Sequence, residues 1–322
     1  MLSIFKKKQD IVPLLEVLIS DIKNKKILTL KNKPYKDNSF HSGRTALVNL
    51  KEFLSDAPLY INDFTTDFLK GFGMFMNEKG LSMNSVTNNV KSLITLVDRL
   101  IIERRITVGK DFKVPTINMP KEITTAVFTT EAEIDLLANM DLSLTEKLCR
   151  VRDVYIIQAY TGLRFSDMIK VIQSPQSYYK EQDGTAYFCL KSTKTEQDLF
   201  IPLKKIVVDI LVRRNFKFGK PFTLHHYNKR LKELFKSVGI NETIVKYITI
   251  GGERKEIHLE KWKMISSHTA RRSFATNAYL KGVPTSFVRK ITGHTTEESL
   301  LRYIRANNHE IALKSKEYDF FK

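Results

Sequence analysis

The 322-residue chain predicts a mainly helical protein with small β-hairpins, an α+β fold in two domains. Three observations predict it. Apolar residues recur at helical spacing through most of the first hundred positions. A stretch carrying Gly109, Pro115 and Pro120 then loses all periodicity. Beyond it, helical stripes alternate with short strand-like runs around polar or glycine turns. A chain of this length can bury an ordinary core in each of two domains.

The elements follow in order. Ile11 to Lys25 carries the stripe Ile11, Leu14, Leu15, Leu18, Ile19 and Ile22, whose spacing places one apolar face on a helix. Residues 31–38 are polar, hold Pro34 and read as a loop. Ser39 can cap a helix through Phe53, with Leu47, Leu50 and Leu54 on one face. Thr65 or Thr66 starts a third, through Met76 and closed by Gly80. Ser82 or Asn84 opens a long fourth helix to Arg104, striped by Val86, Val90, Leu93, Ile94, Val97 and Ile101. Residues 1–105 therefore form a four-helix domain, 106–128 an extended linker, and 129–322 a second domain. There Thr129-Thr130-Glu131 reads as a helix start, and Leu148 to Tyr160 as an apolar helix ended by Thr161-Gly162. Another helix begins near Arg164 or Phe165. Tyr187–Leu190 and Leu199–Leu203 read as strands around a turn at 192–197. His225 to Val238 is helical up to Gly239, and Thr243–Ile250 and Arg254–Leu259 flank the hairpin signal Gly251-Gly252. The rest is helical.

Composition narrows the function. Net charge is +18, and both halves, residues 1–115 and 116–322, carry the excess, so a polyanion is the expected partner of both. No window of about 18 uncharged apolar residues exists, so no membrane span is expected. No apolar stretch with a small-residue cleavage site follows the start, so no signal peptide is read. Two cysteines, Cys149 and Cys189, make neither a disulfide framework nor a zinc site; a cytoplasmic location is expected, with Cys149 a buried thiol.

The chemistry lies in a joint pattern. His268-Thr269-Ala270-Arg271 is followed by Gly293-His294 and then Tyr303, while Thr161-Gly162-Leu163-Arg164 supplies a second arginine upstream. Phosphodiester transfer needs a nucleophile, charge on the non-bridging oxygens and an acid for the leaving oxygen. Two guanidinium forks, Arg164 and Arg271, can hold both non-bridging oxygens, with His268 and His294 adding donors. Tyr303 offers a phenol that needs nearby positive charge to ionise. Singly these are common features: a turn, a helix surface pair, a helix end, a packed ring. Together they specify one chemistry.

The set resembles the tyrosine recombinase (phage integrase) family, close to the Xer-like and conjugative-transposon integrases. The first box looks like Thr161-Gly162-Leu163-Arg164-x-x-Asp167, and the second like His268-x-x-Arg271, Gly293-His294 and Tyr303. The 23-residue step from Arg271 to His294 and the nine-residue step to Tyr303 agree with the family pattern. The resemblance covers nearly the whole chain. It implies a helical SAM-like core-binding domain, a linker and a catalytic domain clamping duplex DNA. It implies that Tyr303 attacks the scissile phosphate to form a 3′-phosphotyrosyl bond, that Arg164 and Arg271 clamp the phosphate with His268 and His294 assisting, and that Asp167 orients the basic groups. No metal or other cofactor is implied, and the active unit is a homo-tetramer on two DNA sites in the nucleoid, with accessory DNA-bending or directionality proteins able to join. The family's remaining acid is a lysine on a hairpin; Lys191 and Lys194 are the candidates, and counting back from Pro202-Leu203 favours Lys194. Two positions depart from the pattern. Asp167 stands where glutamate is commoner, and Thr292 where leucine is, the latter read as a packing change only.

A type IB topoisomerase with the same chemistry, or a DNA-binding regulator without catalysis, are the alternative readings. The helical domain with its short linker opposes the first, the full set of reactive residue types the second. The start of the helical domain near Ile11 leaves no room for an arm-binding domain; the apolar tail beyond Asn308 either folds back on its own catalytic domain or, as the resemblance implies, docks on a neighbouring protomer.

Overall fold

The computed structural model describes residues 9–30, 32–35, 40–141, 146–306 and 312. Ser39 and the apolar tail lie outside them. The chain separates into two compact units, one of residues 1–124 with 246–257, the other of 125–245 with 258–322.

The first unit holds α1 (Val12–Lys23), α2 (His41–Leu54), α3 (Thr66–Glu78) and α4 (Met83–Ile102). Local chemistry sets their ends. Asp10 accepts from the Val12 and Leu59 amides at 3.0 and 3.1 Å, Thr65 caps α3 through the Phe68 amide at 3.2 Å, and Ser82 caps α4. Their apolar stripes meet in one core around Leu15, Leu18, Leu50, Leu69, Phe72, Val90 and Leu93, each buried side chain contributing roughly 1.5–3 kcal/mol. The stretch after α4 has no helix or strand, as the loss of periodicity implies, but it does not hang free. Ile106, Val108, Val114, Ile117 and Met119 pack on this core. Thr87 Oγ1 donates to the Pro120 carbonyl at 2.6 Å, and Asn84 exchanges two hydrogen bonds with the Glu122 backbone. Residues 246–257, from the glycine hairpin, group with this unit too; Thr249 donates twice to the Glu122 carboxylate, at 2.9 and 3.1 Å.

The second unit is built on α6 (Glu146–Thr161), which is buried nearly all round from Val151 to Thr161. Before it, α5 (Glu131–Asn139) opens on a capping box between Thr130 and Glu133. After it come α7 (Phe165–Gln173) and the single turn α8 (Pro175–Tyr178). A three-stranded antiparallel sheet follows: β1 (Tyr179–Gln182), β2 (Thr185–Lys191) and β3 (Asp198–Pro202), with β2 central and Lys191 opposite Asp198. Then come α9 (Lys205–Arg213), α10 (Leu224–Ser237), the ends of the paired strands β4 (Thr243–Ile250) and β5 (Glu253–Glu260), whose residues 246–257 belong to the first unit, and α11 (Lys261–Met264), α12 (Ser267–Leu280), α13 (Thr285–Thr292) and α14 (Glu297–Leu301). Helix α12 lies against α6, and a buried hydroxyl set joins them: Thr129 Oγ1 lies 2.9 Å from Tyr155 Oη and 2.7 Å from Ser273 Oγ. Cys149 is only half-buried, contrary to expectation, because it sits in the first turns of α6, before its fully enclosed part. Among the described residues, no helix is long and apolar enough to cross a membrane.

Candidate active site

Four helices and the β2–β3 turn of the second unit bring the reactive residues together. Arg271 sits in the first turns of α12 and is only 1% exposed. The Ser266–Thr269 capping box fixes where that helix begins, and so the face on which Arg271 lies. Its Nη1 donates to the Gly162 carbonyl at 2.6 Å and its Nη2 to the Thr292 carbonyl at 2.7 Å. Its Nε is buried with no partner. Arg164 enters from the N-cap of α7; Nη2 donates to the Gly293 carbonyl at 3.1 Å, and Nη1 lies 3.4 Å from Ser192 Oγ. Gly162 must be glycine. Its φ is +64°, and a Cβ there would stand 2.6 Å from the Phe274 ring.

Apart from the neutral His294 Nε2 and Ser192 Oγ, the acceptors of both guanidinium groups are main-chain carbonyls, which orient a fork without cancelling its charge. Burial, and then the charge of Arg164, push the Arg271 guanidinium below its ordinary value. A buried arginine with an unpartnered donor and no carboxylate in hydrogen-bond contact is arranged for an anion.

His294 follows the left-handed Gly293 that ends α13, and is 8% exposed. Thr292 Oγ1 donates to the Val288 carbonyl at 2.6 Å, so at the 2.7 Å contact with His294 Nδ1 the imidazole N–H donates to the hydroxyl. Nε2 is then the lone-pair nitrogen, and it accepts from Arg271 Nη2 at 3.1 Å. This neutral form is enforced: burial, then Arg271, Arg164 and Lys194, bring the His294 pKa down to about 3. His268 keeps more surface in solvent. Lost hydration, and then Arg272, Arg271, Lys194 and Arg164, hold it too below its ordinary value.

Tyr303 lies just after α14, at a turn closed by its amide donating to the Leu300 carbonyl at 2.7 Å. Its ring centroid is 4.8 Å from that of His294 and 6.5 Å from that of His268, and the Arg271 guanidinium sits 5.3 Å above it. Lys194 is on the β2–β3 turn; it is among the charges acting on both histidines, whereas Lys191 is not. Asp167 is fully buried on α7 and accepts from the Thr193 amide at 2.8 Å, from Thr193 Oγ1 at 2.5 Å and from Ser192 Oγ at 3.4 Å. It therefore anchors the turn that carries Lys194, and reaches Arg164 only through Ser192.

Thr292 is the correction to the sequence reading. It is not a packing substitution: its carbonyl takes Arg271 and its hydroxyl fixes the His294 tautomer. A hydroxyl two residues before a histidine was the available signal. Gly162 and Gly293 serve the site through main-chain carbonyls, which leave no trace in side-chain chemistry, and Ser192 and Thr193 through the hydroxyls and amide of a polar turn that any surface turn could carry. Among the described residues no group of three or more His, Cys, Asp or Glu could hold a metal ion.

The phage integrase family model matches residues 127–310, more than half of the chain, and the phage integrase SAM-like domain model matches 18–110. The chain belongs to the phage integrase family. Within that family's fold, solved structures resemble it over nearly their whole length. XerH site-specific recombinase, bound to a palindromic difH substrate in a post-cleavage complex, has a TM-score of 0.64 at 16% identity, covering 95% of this chain and 85% of XerH. A lambda integrase dimer bound to a COC' core site has a TM-score of 0.64 at 14% identity, covering 93% and 97%. The Tn1549 transposon integrase with a circular intermediate DNA has 0.60 at 17%, covering 96% and 100%. At these identities the likeness is one of fold. No curated protein matches the chain.

Proposed function

We propose that this phage integrase is a site-specific DNA recombinase that cuts and rejoins strands through Tyr303. The observation that carries the reading is the pair Arg164 and Arg271, oriented by carbonyls and left with uncancelled charge beside the Tyr303 ring. A scissile phosphate between the two forks replaces the bond from Arg271 to His294 Nε2. The Tyr303 oxygen forms a bond to phosphorus as the bond to the 5′-oxygen breaks. The phenolic proton passes to the neutral His268 imidazole, and Lys194 protonates the departing 5′-oxygen. Asp167 holds the turn that presents Lys194. The 3′-phosphotyrosyl bond conserves the energy of the phosphodiester, so rejoining is the same step reversed. Removing one donor to developing charge costs about 10²–10³ in rate, so both arginines matter beyond binding.

The excess of 53 Lys and Arg over 35 Asp and Glu suits a long duplex contact. Exchange between two sites takes four such protomers, a reading supported by the likeness to a lambda integrase tetramer on a Holliday junction (TM-score 0.62, 15% identity). Work on the nucleoid follows from that substrate.

The test is a suicide substrate whose nick traps the covalent adduct on a denaturing gel. Wild type is expected to form the adduct, and Tyr303→Phe to bind DNA equally while forming none. An adduct in the phenylalanine variant would move the nucleophile elsewhere.

A further inference from the structure

A second cationic pair stands beside Tyr303. Along α12, His268, Arg272 and Thr276 follow at steps of four and share one face of the helix. That face meets the segment after α14: Thr276 Oγ1 accepts from the Arg305 amide at 3.0 Å and lies 3.5 Å from the Tyr303 carbonyl. Arg272 therefore sits between a histidine of the site and the point where Tyr303–Arg305 is pinned. Of the charges acting on His268, Arg272 is the largest.

Among the described residues, no carboxylate pairs with Arg272 or Arg305. Burial, then Arg305, holds Arg272 below its ordinary value. Arg305 Nε is buried without a hydrogen-bond partner. Two neighbouring guanidinium groups without an anion repel each other in a partly dry setting. The Asp153 site of the same unit shows how this chain satisfies arginines where none is needed for a ligand: there three of them share a carboxylate.

Resting on the recombinase reading, we propose that Arg272 and Arg305 form a second anion site, which holds the phosphodiester adjoining the scissile one on the cleaved strand. The ligand follows from place and charge. Arg164 and Arg271 are committed to the scissile phosphate, and a duplex presents its next anion one nucleotide step along the same strand. Gripping it fixes the strand's direction through the site, so that the scissile phosphorus faces the Tyr303 oxygen in line with the leaving group. The pair also holds the strand while Tyr303 is covalently engaged.

The test replaces single phosphates flanking the cleavage position by uncharged methylphosphonates, in suicide substrates given to wild type, Arg272→Gln, Arg305→Gln and Arg272→Lys. In wild type, one flanking replacement is expected to slow adduct formation about tenfold or more, the loss of charge-assisted hydrogen bonds. In Arg272→Gln and Arg305→Gln that same replacement is expected to cost markedly less than in wild type, since one of the two partners is already gone. Arg272→Lys should regain part of the sensitivity. Binding to the uncleaved duplex gives an independent readout, its salt slope falling by about 0.9 per lost phosphate contact. Wild type cleaving with equal speed at every flanking replacement, or Arg272→Gln being as sensitive as wild type, overturns the second site while leaving the recombinase reading intact. No adduct from wild type on unmodified DNA would sink both.

Discussion

Two buried arginine clusters in the same unit are built on opposite plans. Around Asp153, which is 1% exposed, Arg152 Nε and Arg213 Nη2 each donate to Oδ1 at 3.0 Å and Arg214 Nε to Oδ2 at 2.6 Å. Arg152 also reaches the Met140 carbonyl, and Arg214 reaches Glu146. Each of these arginines is tied to a carboxylate. Around Tyr303, the forks of Arg164 and Arg271 rest on the carbonyls of Gly162, Thr292 and Gly293, and the one buried carboxylate nearby, Asp167, is taken up by Ser192 and Thr193. Carboxylate partners make a cluster self-sufficient. Carbonyl partners give rigidity while leaving the charge to act on something else. The difference separates a structural knot from a site.

Three experiments can break or sharpen that contrast. The largest effect is expected from Asp153→Ala, which leaves three arginines around an empty place; breaking a buried pair in this way costs about 3–5 kcal/mol. Denaturant unfolding should show it, with cleavage per folded molecule little changed. A loss under about 1 kcal/mol would mean that the knot holds little. Arg271→Ala should do the reverse. Cleavage is expected to fall about 10²–10³, while stability falls by only about 1–3 kcal/mol, the cost of leaving the Gly162 and Thr292 carbonyls unpaired. Equal damage to the two would erase the distinction between site and knot.

The smallest effect is a pH dependence. His294 folded has a pKa of about 3 against its ordinary 6.5, so between these values the unfolded chain binds the extra proton. Stability contributed by the neutral imidazole is whole above about 6.5 and drains as pH falls. Without DNA, the stability advantage of wild type over His294→Asn should therefore shrink between pH 7 and pH 5. An advantage that stays constant over that range would mean the imidazole is not held neutral by its cationic neighbours.

Much of this was legible in one dimension. The stripes of α1 to α4 and the turn at Gly251-Gly252 were legible, and the helix starts to within a residue or two, the structure selecting Thr65 over Thr66, Ser82 over Asn84 and Thr130 within Thr129-Thr130-Glu131, because each depends on residues a few positions apart. Strand β1 went unread, since its residues Tyr179–Gln182 are polar and become a strand only by pairing with β2. The stretch after α4 looked like a linker because it lacks periodicity, yet its apolar residues pack on the helical core. Among the site residues, reactive side chains were visible and their holders were not. Thr292 shows why: its carbonyl does the work of a ligand, and any residue would have supplied one.

The sequence alone determined the chemical inventory: two arginines, two histidines, a hairpin lysine and a tyrosine at fixed steps, in a basic chain. Residue type sets charge, donor count and nucleophilicity, and these need no fold to be read. Tertiary structure decided the rest. It set Lys194 among the charges acting on both imidazoles, spent Asp167 on the turn, lowered the His294 pKa and pinned the segment after Tyr303 to the face of α12 that carries Arg272. Those outcomes depend on which carbonyls and charges meet across more than a hundred residues of chain, and on how much water packing leaves between them.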